Sequence, residues 1–280
     1  MGWREVADLN LSMNLATLRN GSSFGEMIDD CLRHGVTAIS PWRDQVASVG
    51  LKEAARIVET NKLRVTGLCR GGMFPAETAA GRQANIDDNL KAIDEAATLG
   101  ADCLVLVVGG LPGSSKDIVG ARQMVQDGIA AMLPHAKASG VPIAIEPLHP
   151  MYAADRACVN TIDQALDICV ELGDDNLGVA VDVYHVWWDP NLAAAIARAG
   201  DMKRIFAHHI CDWLVPTTDL LLDRGMMGDG VIDLPGIRRM IEAAGYFGPR
   251  EVEIFSRDNW WKKPGDEVVR TCVERFNSVC

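Results

Sequence analysis

The chain alternates short, almost uninterrupted apolar runs with longer segments whose apolar residues recur at helical spacing. The runs IAI before Glu146 and VAV before Asp182 are of the first kind. A strand that is covered on both faces requires such a run, because it has no solvated side toward which its side chains alternate. Residues 85–99 are of the second kind and place Ile86 and Leu90 on one helical face. The pattern therefore predicts buried parallel strands that are separated by helices.

Eight such strand and helix pairs follow one another without a linker. The predicted strands span residues 9–14, 36–40, 64–69, 103–108, 142–146, 177–182, 203–209 and 251–255. The predicted helices span residues 24–34, 51–61, 85–99, 115–139, 161–172, 192–199, 234–244 and 266–276. Eight units at this spacing predict a closed (β/α)₈ TIM barrel of the α/β class, in one domain over residues 1–280. An open doubly wound sheet is the alternative, but the sequence lacks its Gly-x-Gly-x-x-Gly fingerprint.

Composition narrows the class of partner. The net charge of −11 and the pI near 5.0 argue against a surface that follows nucleic-acid phosphates or an anionic membrane. The amino-terminal sequence MGWREVADLN has no basic or apolar signal region, so we expect a cytoplasmic protein. The cysteines form no Cys-x-x-Cys pair, which predicts reduced packing residues rather than disulfides. They are Cys31, Cys69, Cys103, Cys158, Cys169, Cys211, Cys272 and Cys280.

Four residues that can bind a metal stand at the carboxyl ends of the last four predicted strands. They are Glu146, Asp182, His209 and Glu253. In a barrel these strand ends meet on one face, which is where active sites occur. Three carboxylates at one place repel each other without a cation, so the set predicts a divalent metal, with Mn²⁺, Mg²⁺ or Co²⁺ favoured by the oxygen-rich donors. Taken singly, each acidic residue has a helix cap or a surface charge as its alternative interpretation.

Several motifs accompany these strand ends, namely IAIEPLHP, VAVDVYH, HHICD, GDGVIDLPGI and EVEIF. With them the sequence resembles, over nearly its whole length, the xylose-isomerase-like barrels that include ketose 3-epimerases and hydroxypyruvate isomerases. The resemblance implies one metal ion, Mn²⁺ first, held by Glu146, Asp182, His209 and Glu253. It also implies that Glu146 and Glu253 act as acid and base on opposite faces of a small carbohydrate substrate. His185 is implied to contact the substrate oxygens.

The implied function is a metal-dependent sugar isomerase or epimerase that moves a proton next to a carbonyl through a cis-enediolate. Return of the proton to the opposite face gives an epimer, whereas return to the neighbouring carbon gives an isomer. Two alternatives stay open. One is a metal-dependent lyase or dehydratase acting on a keto-sugar, a keto-inositol or a 3-keto-glycoside, and the other is a non-catalytic sugar-binding barrel. Relatives also suggest a homodimer formed through the loop face, and the sequence leaves the oligomeric state open.

The chain departs from the ketose 3-epimerases at two places. They carry an arginine shortly after the histidine ligand, where this chain reads WLVP, and an acidic residue near Met151 and Tyr152. Both differences count against a free ketohexose as the substrate. Arg224, in the polar insertion that follows the WLVP segment, is our candidate to replace the arginine. An exposed loop arginine is the alternative interpretation.

Aromatic side chains follow several strand ends. Trp42 and Trp187 predict a wall against the apolar face of a sugar ring. A tryptophan-rich site that is partly poor in cations favours an unphosphorylated substrate with a bulky or cyclic part. We interpret Trp188 and Trp261 instead as cover for the core or as a dimer contact. His149, in the loop after the fifth predicted strand, is a candidate substrate contact.

Two arginines and one histidine complete the candidates. Arg43 and Arg70 leave the second and third predicted strands, and each is a candidate either for binding a phosphate or carboxylate or for an ion pair at the barrel rim. His208 precedes His209 on one strand, so the two side chains point to opposite sides. The three-residue spacing from His209 to Asp212 selects His209 for the site, so we predict that His208 packs beneath a helix.

Overall fold

Strands and helices alternate throughout the computed structural model, which describes residues 10–280. The strands are β1 Leu11–Asn14, β2 Ala38–Ser40, β3 Arg64–Val65, β4 Leu68–Gly72, β5 Leu104–Val107, β6 Ile143–Ile145, β7 Leu177–Asp182, β8 Ile205–Ile210, β9 Asp212–Trp213, β10 Arg224–Gly225 and β11 Arg250–Val252. The helices are α1 Phe24–Arg33, α2 Arg43–Val49, α3 Leu51–Thr60, α4 Ala79–Leu99, α5 Ile118–Ala138, α6 Ile162–Leu172, α7 Val183–Val186, α8 Leu192–Asp201, α9 Leu234–Ala243 and α10 Gly265–Val279.

The parallel sheet curves back on itself. β1 pairs with β2 on one side and with β11 on the other, so strands from the two ends of the chain are neighbours. From β11 the order continues through β8, β7, β6 and β5 to β4. β3 and β4 are two segments of the third barrel strand, and Trp42 bridges Cys69 where β2 meets β4. This order confirms the predicted (β/α)₈ barrel. An open doubly wound sheet is excluded, since its first and last strands do not pair.

The helices begin where the sequence supplies a capping side chain. The Ser23 hydroxyl accepts a hydrogen bond from the Glu26 backbone N–H, and the Glu26 carboxylate accepts one from the Ser23 N–H. This reciprocal arrangement satisfies two N–H groups that the first turn leaves unpaired. Thr161 caps α6 and Asp233 caps α9, each by accepting from an N–H three residues later. The sequence therefore sets these starts locally.

Two apolar layers hold the barrel together. The larger layer packs the outer face of the sheet against the helices. The smaller one lies inside the barrel and consists of small or branched side chains, namely Cys69, Cys103, Val105, Ala144, Ala180 and Ala207. Because most of these side chains are small, the barrel interior accommodates larger polar groups at the carboxyl end of the sheet.

The third barrel strand differs most from its prediction. It was expected to end at residue 69 and to be followed by a loop, but β4 continues to Gly72. Gly71 and Gly72 pair there with Leu106 and Val107 of β5. Gly72 has a φ of 104°, and a Cβ at this position would lie 2.0 Å from the Val107 carbonyl oxygen. Glycine is thus required for the strand to continue so close to its neighbour.

The other differences concern exposed or very short elements. α4 begins at Ala79 rather than at residue 85. The sequence did not reveal this start, because the first turns of the helix are exposed and carry no apolar periodicity. The short helices α2 and α7 and the β9–β10 hairpin were not predicted. All other ends within the described residues agree to within three residues. Leu9, the predicted start of the first strand, lies outside the described residues.

The expectation for the cysteines is tested by the fold. The eight cysteines form no disulfide, and all except Cys280 are buried, which confirms them as packing residues. Among the helices of residues 10–280, none combines the length and the apolar character that crossing a bilayer demands.

Candidate active site

Four polar side chains converge at the carboxyl ends of neighbouring strands. Glu146 directly follows β6, Asp182 ends β7, and Glu253 directly follows β11. The strand register places His209 opposite Asp182 on one side and opposite Glu251 on the other. One ligand atom from each of Glu146, Asp182, His209 and Glu253 lies within 4.8 Å of the others. The structure thus brings together the four residues that were predicted to bind a metal, and their role as ligands stays a prediction.

The His209 imidazole stands between two carboxylates. Its Nδ1 lies 2.9 Å from Oε1 of Glu146, and its Nε2 lies 3.5 Å from Oε1 of Glu251. The Nε2 atom is buried and makes no hydrogen bond with the described residues. His208 points the other way, with Nδ1 3.1 Å from the Val181 carbonyl oxygen. The two histidines therefore face opposite sides of the strand, as β geometry requires.

Arg224 enters this cluster from the β9–β10 hairpin. Its Nη1 donates hydrogen bonds to Oδ2 of Asp182 and Oε2 of Glu253, each at 2.9 Å. The guanidinium carbon lies 4.4 Å from the ring centroid of Tyr184 and 5.0 Å from that of Phe255. The side chain is 4% exposed. Arg224 is thus a buried residue of the site and not an exposed loop arginine.

His185 lies in α7, directly after the strand that carries Asp182. Its Nε2 is 3.2 Å from Nη2 of Arg224 and 3.6 Å from Oδ2 of Asp182. Its Nδ1 is 3.2 Å from the backbone nitrogen of His149, which donates a hydrogen bond to it. Burial lowers the pKa of His185 to about 3, because the charged ring would lose its hydration. The imidazole is therefore neutral at pH 7.

The surroundings of the buried carboxyl groups move their pKa values apart. Burial raises the pKa of Glu253 to about 8 and also raises the pKa of Glu146. Burial acts in the same direction on Asp182, but the charges of Arg224 and His209 outweigh it and hold that pKa below its usual value. A carboxyl group whose pKa is raised toward neutral accepts and releases protons readily at pH 7, as an acid/base pair requires.

Asn14 and Glu251 contact residues of the cluster, and the sequence interpretation missed both. The Asn14 amide donates to Oε1 of Glu251 at 2.7 Å and to Oε1 of Glu253 at 2.9 Å. Trp42 Nε1 donates to the Asn14 side-chain oxygen at 2.8 Å. Glu251 also accepts from the Thr66 hydroxyl at 3.0 Å. The sequence signal was the two-residue spacing to Glu253, which puts both glutamates on one face of a strand.

A narrow cavity of about 30 Å³ opens beside Glu146 and Glu253. Its other walls include Trp42, Arg70, Tyr152, Arg156 and Phe255. A wider cavity of about 430 Å³ adjoins it and shares Trp42 and Arg70. The two cavities together lead from the barrel rim to the carboxylate cluster.

The aromatic wall differs in part from its prediction. Trp42 lines the cavity together with a tyrosine and a phenylalanine from other loops. Trp187 and His149 do not line it, because both pack on Trp213, with ring centroids 5.6 and 5.0 Å from it. The turn of α7 carries Trp187 away from the strand end. The substrate contacts expected of these two residues are thus not supported by their positions.

The two candidate arginines of the second and third strands have different surroundings. Arg43 donates to both oxygens of Asp88, at 2.8 and 2.9 Å, and to Glu95 at 2.6 Å. It therefore forms an ion pair at the barrel rim. Arg70 lines both cavities. Of the two tryptophans interpreted as cover, Trp261 donates its Nε1 hydrogen bond to the Ala16 carbonyl oxygen at 2.8 Å.

A comparison with known protein families identifies the family of this chain. The family model described as "Xylose isomerase-like TIM barrel" matches residues 18–277. The chain belongs to this family. The match confirms the resemblance that the strand-end motifs indicated, and it includes the whole carboxylate and histidine cluster.

Relatives of this xylose isomerase-like barrel act on different substrates. An inosose isomerase of Bacillus velezensis is 25% identical over an alignment of 291 positions, which covers 97% of each chain. A 3-dehydroshikimate dehydratase of Pseudomonas putida is 30% identical over 181 residues, which cover 62% of this chain and 26% of the dehydratase. The family relationship is therefore compatible with more than one reaction.

Solved structures place the fold of this xylose isomerase-like barrel among its relatives. The crystal structure of protein SMc04130 from Sinorhizobium meliloti 1021 is 70% identical, with a TM-score of 0.95 over 97% of this chain and 98% of that one. The IOLI protein, solved with a bound zinc atom, is 22% identical, with a TM-score of 0.82 over 96% of this chain and 97% of that one. At 22% identity the second similarity concerns the fold alone.

Proposed function

We propose that this xylose isomerase-like barrel is a sugar isomerase or epimerase that moves a proton next to a carbonyl group with the help of one divalent metal ion. The observation that carries the proposal is the cluster of Glu146, Asp182, His209 and Glu253, two of whose carboxyl groups have raised pKa values beside a cavity. The inosose isomerase relative, aligned over 97% of each chain, supports the reaction class.

The side chains of the cluster fit a divalent cation. Three buried carboxylates need positive charge, and here the Arg224 guanidinium bonds to Asp182 and Glu253 in that role. The donor set of three carboxylates and one imidazole suits Mn²⁺, our prediction, as well as Mg²⁺ and Co²⁺. A related protein, IOLI, binds zinc, so Zn²⁺ is a further candidate. When bound, such an ion polarises a substrate carbonyl and lowers the pKa of the adjacent C–H.

Glu146 and Glu253 are our acid/base pair. One carboxylate removes the proton from the carbon next to the carbonyl and keeps it on its own oxygen. The other, already protonated, delivers a proton to the resulting enediolate, so the two carboxyl groups exchange protonation states in each turnover. Delivery to the opposite face of the same carbon inverts it. Delivery to the neighbouring carbon, with transfer of the hydroxyl proton from one enediolate oxygen to the other, gives the isomer.

His185 and Arg224 are our candidates for holding the substrate oxygens. The neutral His185 ring lies at the cavity wall, and the Arg224 guanidinium supplies N–H donors and positive charge there. Positive charge beside a developing oxyanion stabilises the transition state more than the ground state. The narrow, partly aromatic cavity also limits access of water to the reacting carbon.

A dehydratase is the second candidate, because the Pseudomonas putida relative carries that activity. The first step is the same proton removal next to a carbonyl. The hydroxyl group on the next carbon then leaves with a proton from the second glutamate, as water, and a carbon–carbon double bond forms. Detection of water loss distinguishes this reaction from isomerisation.

Hydrogen–deuterium exchange followed by NMR tests the proposal. The full-length protein is incubated in D₂O with an inosose, a ketohexose, a 3-keto-glycoside and 3-dehydroshikimate, first with Mn²⁺, then with EDTA, and then with Mn²⁺ restored. We expect exchange at one carbon of at least one compound, lost with EDTA and recovered with Mn²⁺. Exchange that persists unchanged in EDTA contradicts the metal role. No exchange with any compound leaves the sugar-binding barrel as the better description.

The homodimer stays a prediction.

Glu251 is expected to control metal affinity through His209. Its carboxylate lies 3.5 Å from the otherwise unpaired His209 Nε2. A carboxylate in this position orients the imidazole, so that the other ring nitrogen presents its lone pair to a metal. Glu251→Ala is therefore expected to weaken Mn²⁺ binding by about 10- to 100-fold, as measured by titration calorimetry. Glu251→Gln, which keeps an acceptor oxygen, is expected to show a smaller loss.

Ser12→Ala is the matched control for Glu251. The Ser12 hydroxyl lies 2.7 Å from the Thr66 hydroxyl in the same buried network, but it does not touch His209. Its Mn²⁺ affinity is expected to stay within about twofold of the parent, since the groups that orient His209 are intact. Equal affinity in the parent and in folded Glu251→Ala would show that Glu251 does not position the histidine.

A further inference from the structure

Two arginines in the wall of the narrow cavity have no anionic partner among residues 10–280. Arg70 lies within β4 and Arg156 lies in the loop after β6, and both line the cavity that contains Glu146 and Glu253. Within residues 10–280, neither guanidinium donates a hydrogen bond to the protein or lies within 4.0 Å of a carboxylate oxygen. The contact of Arg156 is with an aromatic ring, since its guanidinium carbon is 5.9 Å from the Tyr152 centroid.

Neighbouring arginines at the rim behave differently. Arg19 donates to both oxygens of Asp44, at 2.7 and 2.9 Å, and Arg43 is held by Asp88 and Glu95. Both line the wider outer cavity, yet their charges are already compensated. The missing partner at Arg70 is therefore a local feature of the inner cavity and not a general property of this face.

The positions of the two arginines make their positive charge costly without a ligand. Arg70 and Arg156 are both half-buried. Burial lowers the pKa of Arg70, and the charge of Arg156 lowers it further, so the two guanidinium groups act on each other unfavourably. An anion between them removes this repulsion and gains hydrogen bonds with two planar donors, which match the geometry of a carboxylate or phosphate.

From these two half-buried arginines without anionic partners among the described residues we infer that the substrate carries an anionic oxygen group, a carboxylate or a phosphate. Arg70 and Arg156 bind this group. The inference rests on the proposed function, since it concerns the substrate of the same site. Arg70 lies where the narrow cavity meets the wider one. The anionic group thus occupies the outer end of the site, and the polyhydroxy carbonyl part extends toward Glu146 and Glu253.

This subsite also changes the number of cationic side chains that the sequence led us to expect in the pocket. The expectation of an unphosphorylated substrate depended on a site poor in cations. With Arg70, Arg156 and Arg224 lining one cavity, the site holds three guanidinium groups in a protein with a net charge of −11. Arg224 is engaged by two carboxylates of the cluster. The other two are available to a ligand.

Binding measurements test the subsite. The affinities of three probes for the Mn²⁺-loaded full chain are measured by titration calorimetry at low salt: a neutral inosose, 3-dehydroshikimate as the carboxylate, and fructose 6-phosphate as the phosphate. We expect at least one anionic probe to bind about 10-fold or more tightly than the neutral one, consistent with charge-assisted hydrogen bonds. Which anionic probe binds more tightly distinguishes carboxylate from phosphate.

Variants assign the effect to the two arginines. Arg70→Met and Arg156→Met are each expected to weaken binding of the anionic probe by about 10- to 100-fold, with inosose binding changed by less than about twofold. Arg257→Met removes the same charge from a side chain that is 54% exposed and paired with Asp258, and it is expected to leave both affinities unchanged. An increase in salt is expected to weaken only the anionic probe.

The outcomes separate this inference from the proposed function. Equal binding of neutral and anionic probes, no binding of either anionic probe, or unchanged anion affinity in both variants would overturn the subsite. Metal-dependent exchange of the neutral inosose with no preference for anions overturns the subsite alone. Tight, Arg70-dependent binding of an anion by a protein that exchanges no proton supports the subsite and counts against the proposed reaction.

Discussion

Glu146→Gln and Glu253→Gln are each expected to lower the rate of epimerisation or isomerisation by about 10³-fold, because a glutamine neither accepts nor delivers the proton. Each variant is expected to keep proton exchange on one face of the substrate. The remaining glutamate still removes a proton from its own face of the substrate and returns deuterium from D₂O to that face. One variant therefore exchanges one epimer without inverting it, and the other variant exchanges the opposite epimer. NMR of both epimers in D₂O measures this directly.

Metal binding is the confounding variable in that experiment, since both glutamates are also candidate ligands. Asp182→Asn is the matched control, because Asp182 belongs to the same cluster but has no proposed acid/base role. It is expected to weaken Mn²⁺ binding and to lower the exchange of both epimers equally. If a glutamine variant that still binds Mn²⁺ inverts its substrate at the parental rate, that glutamate is not part of the acid/base pair.

Arg224→Met is expected to produce the largest change in stability, and only in the absence of metal. The guanidinium lies 2.9 Å from the buried Asp182 and Glu253 and compensates the negative charge of Asp182. Removing one partner of a buried ion pair leaves uncompensated charge, which costs about 3–5 kcal/mol of unfolding free energy. Saturating Mn²⁺ supplies positive charge to the same carboxylates, so the loss is expected to shrink to about 1 kcal/mol. Urea unfolding in EDTA and in Mn²⁺ measures both values.

Arg224→Lys is the control for charge. Lysine keeps the positive charge but not the planar pair of donors, so we expect a loss of about 1–2 kcal/mol in EDTA, smaller than that of the methionine variant. A destabilisation of Arg224→Met that is the same with and without Mn²⁺ would indicate a packing role, through Tyr184 and Phe255, in place of charge compensation.

The sequence was sufficient for the fold and for the four residues of the central cluster. The apolar runs and capping residues that define each strand and helix are local features, so they are readable without a structure. Once the alternation indicates a closed parallel barrel, strand ends of one polarity must meet on one face. Glu146, Asp182 and Glu253 follow from that rule, because each stands at such an end, and the spacing to Asp212 selected His209 over His208.

Only the tertiary structure decided which other side chains reach the site. Arg224 bonds to Asp182 across 42 residues, and Asn14 bonds to Glu253 across 239 residues. Such contacts depend on the path of a hairpin and on the closure of the barrel, which leave no periodic signal in the sequence. The same holds for Arg43 and Arg70, which looked alike in the sequence. Acidic residues of α4 neutralise Arg43, whereas no acidic side chain of the described residues approaches Arg70 closely enough to pair with it. Charge compensation is a property of three-dimensional neighbours, and for that reason the composition of the pocket had to come from the fold.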